Sequence, residues 1–133
     1  MEDTEKKQSI LILDDDNFML DMYSVKFKER GFDVNANADS NQALKKLREG
    51  FVPSVILFDM VMPDIDGLEF LEILSKENLA TDAVLVAISN QWEESYMKKA
   101  KELGVDDYII KADTIPSEVL DKVEGIIKNH NIN

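Results

Sequence analysis

The sequence contains no cysteine, so disulfides and thiolate metal sites are excluded. A chain of this kind suits a reducing compartment, and a cytoplasmic location is the expectation. Histidine is nearly absent: the single residue, His130, lies in a polar stretch near the C-terminus and is assigned neither a metal nor a phosphoryl group. Basic residues are scarce, with 15 Lys and Arg against 27 Asp and Glu, a net charge of −12. Binding to nucleic-acid phosphates or anionic lipid needs a basic face, so no nucleic acid is expected as a partner. Long apolar runs are missing too, which argues against membrane insertion. The stretch Met1–Gln8 is charged and polar, unlike the apolar core of a signal peptide.

What is present is an ordinary globular composition, 44% hydrophobic over 133 residues, enough for one domain with a single core. Five short apolar runs punctuate it: Ile10–Leu13, Phe32–Ala36, Val55–Phe58, Val84–Ile88 and Tyr108–Ile110. Helical spacing fills the intervals. Met19, Met22, Tyr23 and Phe27 form one face, closed by Gly31; Ala43, Leu44 and Leu47 form a second, closed by Gly50. Leu68, Leu71 and Leu74 form a third face, Tyr96, Ala100 and Leu103 a fourth, and Val119, Val123, Ile126 and Ile127 a fifth, with Pro116 in the first turn. Strand alternating with helix reads as an α/β fold around a parallel sheet. Ile10, Val55 and Val84 open runs apolar throughout, as central strands are, whereas Asp33 and Asn35 interrupt the second run and mark an edge. Right-handed crossovers favour the flavodoxin-like (βα)5 doubly wound order 2-1-3-4-5. No repeat or linker divides the chain. The expectation is a single domain over 1–133, with its core at about 9–128, polar tails on either side and no room for an output domain.

Ligands of open parallel sheets bind at the carboxyl ends of the strands. There the first strand runs into Asp14, Asp15 and Asp16, the third into Asp59, the fourth into Ser89 and Asn90, and the fifth into Lys111. Carboxylates, a hydroxyl and an ammonium group should therefore converge from four stretches of sequence. Clustered carboxylates repel unless a cation sits among them, and hard oxygen ligands without histidine or cysteine point to Mg²⁺, with Mn²⁺ as a substitute. A carboxylate beside such a cation can attack phosphorus. Lysine and serine suit incoming phosphoryl oxygens.

These residues carry a resemblance. Asp14-Asp15 after an apolar strand, then Asp59-Met60-Val61-Met62-Pro63-Asp64-Ile65-Asp66-Gly67, then Ser89, then Tyr108-Ile109-Ile110-Lys111 are similar to the motifs of response-regulator receiver domains, over about Ser9 to Ile127. The resemblance implies a stand-alone, chemotaxis-regulator-like member of two-component signalling, not an enzyme beyond its own phosphoryl transfer and dephosphorylation. It implies Asp59 as phosphoacceptor, Asp14 and Asp15 with the Val61 carbonyl around Mg²⁺, and Ser89, Tyr108 and Lys111 as phosphoryl-binding and switch residues. Val61 and Gln91 would tune the lifetime of the phosphorylated form. Trp92 is a candidate for the partner-binding face, with a partly packed surface aromatic as the alternative. The implied partners are a histidine kinase or phosphotransfer protein as donor and a downstream protein as reader. The family usually has proline after its lysine, in a cis peptide; here Ala112 stands there, and a trans peptide is expected.

The same residues admit plainer roles. Asp16 suits a helix cap, Pro63, Asp66 and Gly67 a turn and helix start, and Tyr108 ordinary packing. Two other functions compete. Asp14-x-Asp16 resembles the opening of haloacid-dehalogenase-type phosphatases, but Phe18 and the position of Asp106–Asp107 before the lysine depart from that pattern. A pseudo-receiver scaffold without phosphorylation is the other, and the complete set of pocket residues argues against it.

Overall fold

The computed structural model describes residues 8–90 and 94–132, the last three of these by backbone alone. The strands are β1 (Ser9–Leu13), β2 (Asp33–Asn37), β3 (Val55–Asp59), β4 (Val84–Ser89) and β5 (Asp107–Ile110). The helices are α1 (Asn17–Glu29), α2 (Ser40–Arg48), α3 (Gly67–Lys76), α4 (Glu94–Glu102) and α5 (Pro116–Ile132), with a 3₁₀ turn at Lys111–Asp113. All pairings are parallel, in the order β2-β1-β3-β4-β5, the expected doubly wound arrangement.

Alternation along the strands divides the core. Ile10, Ile12, Val55, Leu57, Val86, Ile88 and Ile109 face the layer of α1 and α5, where Tyr23, Phe27, Val119 and Val123 are buried. Leu11, Leu13, Ile56, Phe58 and Ala87 face the opposite layer, with Leu44, Phe70, Leu71 and Ala100. Surface ion pairs join neighbouring helices: Arg30 of α1 to Asp121 and Glu124 of α5, and Arg48 of α2 to Glu77 just past α3. Among the described residues no helix is long and apolar enough to cross a membrane.

The sequence spacing located every helix but not every buried side chain. Leu20, Phe70 and Leu120 are buried, whereas Met19, Met22, Leu68, Tyr96 and Leu103 only flank the core. The second strand starts at Asp33 rather than Phe32, whose ring leaves the strand to pack edge-on against Phe27 with centroids 5.0 Å apart. A polar tail was expected after Lys128; instead α5 runs on to Ile132, because the preceding turns hold the backbone in helix and polar residues there need no burial.

Candidate functional site

Two strands end one residue later than their apolar runs, and both extra residues are polar. Asp59 pairs with Ile88, and Ser89 with Ile110, so both backbones are fixed by the sheet ladder. Alternation then separates the polar groups by face. Asp14, Asp59 and Lys111 stand two residues beyond Ile12, Leu57 and Ile109 and share their side, that of α1 and α5. Ser89 follows Ala87 on the side of α2, α3 and α4, where Tyr108 also packs.

The charged groups meet. Lys111 Nζ donates to Asp59 Oδ2 at 2.9 Å and to Asp14 Oδ2 at 3.0 Å. Asp14 and Asp59 are 1% and 7% exposed, while Asp15 is open to solvent. One carboxylate oxygen each from Asp14, Asp15 and Asp59 lie within 4.8 Å of one another. Backbone amides hold two of these carboxylates in place: Asp16 N donates to Asp14 Oδ1 at 3.0 Å, and Val61 N to Asp59 Oδ1 at 2.9 Å.

Burial raises the Asp59 carboxyl above its ordinary value, even though the Val61 amide and Lys111 act in the opposite direction. Burial also works to lower Lys111, but the hydrogen bonds and charges of Asp59 and Asp14 together prevail and raise it. One ammonium therefore shares two buried carboxylates, with a third beside them. The site is short of positive charge, and its donors are all oxygens. Such a set fits a hard divalent cation.

The switch candidates also meet. The Tyr108 hydroxyl and the Ser89 side chain are hydrogen-bonded to each other, and burial raises the phenol's pKa. Ser89 is fully buried and Tyr108 half-buried. This direct contact was not foreseen, because residues 19 apart on adjacent strands become neighbours only through the Ser89–Ile110 register.

Local structure around the cluster follows from the loop residues. Asp16 caps α1, its Oδ1 accepting from Phe18 N and Met19 N at 3.0 and 3.3 Å. It is a cap and not a member of the carboxylate group, as expected. Asp66 and Glu69 form a reciprocal capping box at the start of α3. Gly67 donates its N–H to Met60 O at 2.8 Å, and a Cβ at Gly67 would lie 2.7 Å from Met60 Cα. Only glycine permits that approach, which folds the β3–α3 loop back beside Asp59. The Lys111–Ala112 peptide is trans, and Ala112 sits in the 3₁₀ turn, whose end is tied by Thr114 Oγ1 donating to Ile110 O at 2.9 Å. Val61 is half-exposed at the rim. Gln91 and Trp92 lie outside the described residues.

Comparison with known proteins gives this arrangement a family. The model for the response regulator receiver domain matches residues 10–124, nearly the whole chain. The chain belongs to the receiver domains of response regulators. It is 30% identical over 125 residues to the alkaline phosphatase synthesis transcriptional regulatory protein PhoP of Bacillus subtilis, covering 94% of this chain and 50% of that protein. It is 28% identical over 119 residues to the phosphate regulon transcriptional regulatory protein PhoB of Klebsiella pneumoniae, covering 90% and 51%. This receiver domain thus spans about half the length of the curated relatives it matches. Among solved structures, a CheY-like receiver domain protein from Methanospirillum hungatei superposes with a TM-score of 0.85 at 25% identity, covering 95% of this chain and 98% of that one. Receiver domains are signalling modules of two-component systems, and the family binds Mg²⁺ at an acidic pocket.

Proposed function

We propose that the chain accepts a phosphoryl group on Asp59 in an Mg²⁺-dependent reaction and signals by changing shape. The observation that carries this reading is the convergence of Asp14, Asp15, Asp59 and Lys111 at the carboxyl edge of the sheet. Asp14, Asp15 and Asp59 would hold the cation together with the Val61 backbone carbonyl. When bound, Mg²⁺ supplies the positive charge that the site lacks and that phosphoryl oxygens require.

Asp59 is the nucleophile. One of its carboxylate oxygens forms the new bond to phosphorus as the bond from phosphorus to the donor's histidine nitrogen breaks, the electron pair leaving with the imidazole. The donor is a histidine kinase or phosphotransfer protein, and small acyl phosphates substitute. Lys111 moves from the carboxylate toward the phosphoryl oxygens as a charge-assisted donor. Ser89 exchanges Tyr108 for the phosphoryl group, and the released Tyr108 repacks toward the face of α4, β5 and α5, where Trp92 is the proposed contact for a downstream protein. A cytoplasmic location fits this partnership.

Acetyl phosphate with and without Mg²⁺, followed by intact mass of wild type and Asp59→Asn, tests the reading. One added phosphoryl group that needs Mg²⁺ and vanishes in the variant is the expected result. No adduct from acetyl phosphate or from a cognate kinase would leave a pseudo-receiver. The half-exposed, apolar Val61 cannot orient a hydrolytic water, so Val61→Asn should speed loss of the phosphoryl group several-fold, followed by mass against time.

A further inference from the structure

The loop of residues 60–66 follows Asp59 directly and is closed at its base by Gly67 N donating to Met60 O at 2.8 Å. Its middle is a three-residue turn: Ile65 N donates to Pro63 O at 2.8 Å across Asp64, whose φ is 66°. This is the γ-turn of the less favoured hand, costly for a residue with a Cβ, and such conformations persist only where surrounding contacts hold them. One such contact comes from another element. Ser40, in the first turn of α2 and 1% exposed, donates its hydroxyl proton to Ile65 O at 2.9 Å. The hydroxyl is not the cap of its own helix, because Asp39 fills that role by accepting from Asn41 N at 2.9 Å. The near end of the same loop is tied to the site, where Val61 N donates to Asp59 Oδ1 at 2.9 Å.

We propose that Ser40 is a positioning residue for cation binding, and through it for phosphoryl transfer, its hydroxyl holding the turn at Asp64 so that Val61 stays in place beside Asp59. The proposal rests on the reading of Asp59 as phosphoacceptor, with the Val61 carbonyl among the ligands of the cation. Without the hydroxyl, the Ile65 carbonyl loses its donor and Asp64 is free to return to a negative φ, which suits a side chain better. The loop is short and anchored at both ends, so a change at Asp64 is carried to the peptide of Val61. Aspartate tolerates a left-handed backbone better than most residues, yet glycine adopts it at no steric cost. The demand on Ser40 therefore depends on the residue at position 64, and glycine there should remove most of it.

Ser40→Ala, made alone and in the background of Asp64→Gly, tests this. The Mg²⁺ dissociation constant of each protein is read from backbone amide shifts in a titration with Mg²⁺ alone. The Tm in chelator and the phosphorylation rate with acetyl phosphate at a fixed, subsaturating Mg²⁺ concentration are measured beside it. Ser40→Ala should raise the dissociation constant roughly three- to tenfold, the size of one lost hydrogen bond, and lower the rate in proportion. With glycine at position 64 the same substitution should change the dissociation constant by less than about twofold. A lower Tm with an unchanged dissociation constant overturns the proposal, leaving Ser40 a packing contact between α2 and the loop. An equal loss in both backgrounds also overturns it, since the hydroxyl would then not act through the turn. Wild-type protein that binds Mg²⁺ but takes up no phosphoryl group would remove the reaction itself, a failure distinct from one confined to the variants.

Discussion

Asp59 is held in a state that costs stability. It is a buried carboxylate that shares its lysine with Asp14, and burial raises its pKa. A group raised in this way favours folding only where it is protonated: its contribution is present below the ordinary carboxylate value and is lost as pH rises through the folded one. In metal-free protein at neutral pH, Asp59→Asn should therefore gain about 1 kcal/mol, and the gain should shrink as pH falls into the acid range. Urea melts of both proteins at several pH values check this. Lys111→Met has the opposite sign. It leaves Asp14 and Asp59 facing each other without their cation, which should cost about 3 kcal/mol in the absence of Mg²⁺. At this scale the sequence identified the members of the cluster but not their exposure. Asp14 and Asp15 are identical neighbours in sequence, yet one is enclosed and the other open, and only the path of the chain after β1 distinguishes them.

The β3–α3 connection shows how one element places another's functional group. Asp66 and Glu69 satisfy backbone donors at the start of α3, and Gly67 brings that start against Met60, the residue after Asp59. Asp66→Ala should cost about 1 kcal/mol as a lost cap. Gly67→Ala should cost roughly 1–3 kcal/mol, because the backbone of Met60 has to move, and should also slow acetyl phosphate transfer. Equilibrium unfolding and the phosphorylation rate measured on both variants separate the two effects: the cap variant keeps its rate and the glycine variant does not. The sequence marked these residues as turn and helix-start positions. It could not show that glycine is needed for close approach rather than for a left-handed backbone, since Gly67 is not among the positive-φ glycines.

Across the whole molecule, the excess of negative charge and the acidic cluster should make folding sensitive to divalent cations. A cation that binds only the folded site stabilises it by about 2.7 kcal/mol at one hundred times its dissociation constant. Mg²⁺ should raise the Tm of wild type over that of protein in chelator, and Asp14→Asn should reduce the shift, as calorimetric scans would show. The same sheet carries the charged cluster, Asp59 included, on one face and the Ser89–Tyr108 pair on the other, so the proposed switch would have to pass between the two layers. Coupling of that kind depends on strand register and on which helices cover each face.

The sequence by itself determined the alternation of strands and helices, the order of the sheet, and the polar residues at its carboxyl edge, because period and position are local properties of a chain. Strand ends were legible to within a residue, since apolar runs stop where polar function begins while the backbone ladder continues through Asp59 and Ser89. Tertiary structure decided which carboxylate is enclosed, that Lys111 bridges Asp14 and Asp59, and that Tyr108 reaches Ser89. Those contacts join residues far apart in sequence. Their distances are set by packing between layers and by sheet register, which no single segment of the chain contains.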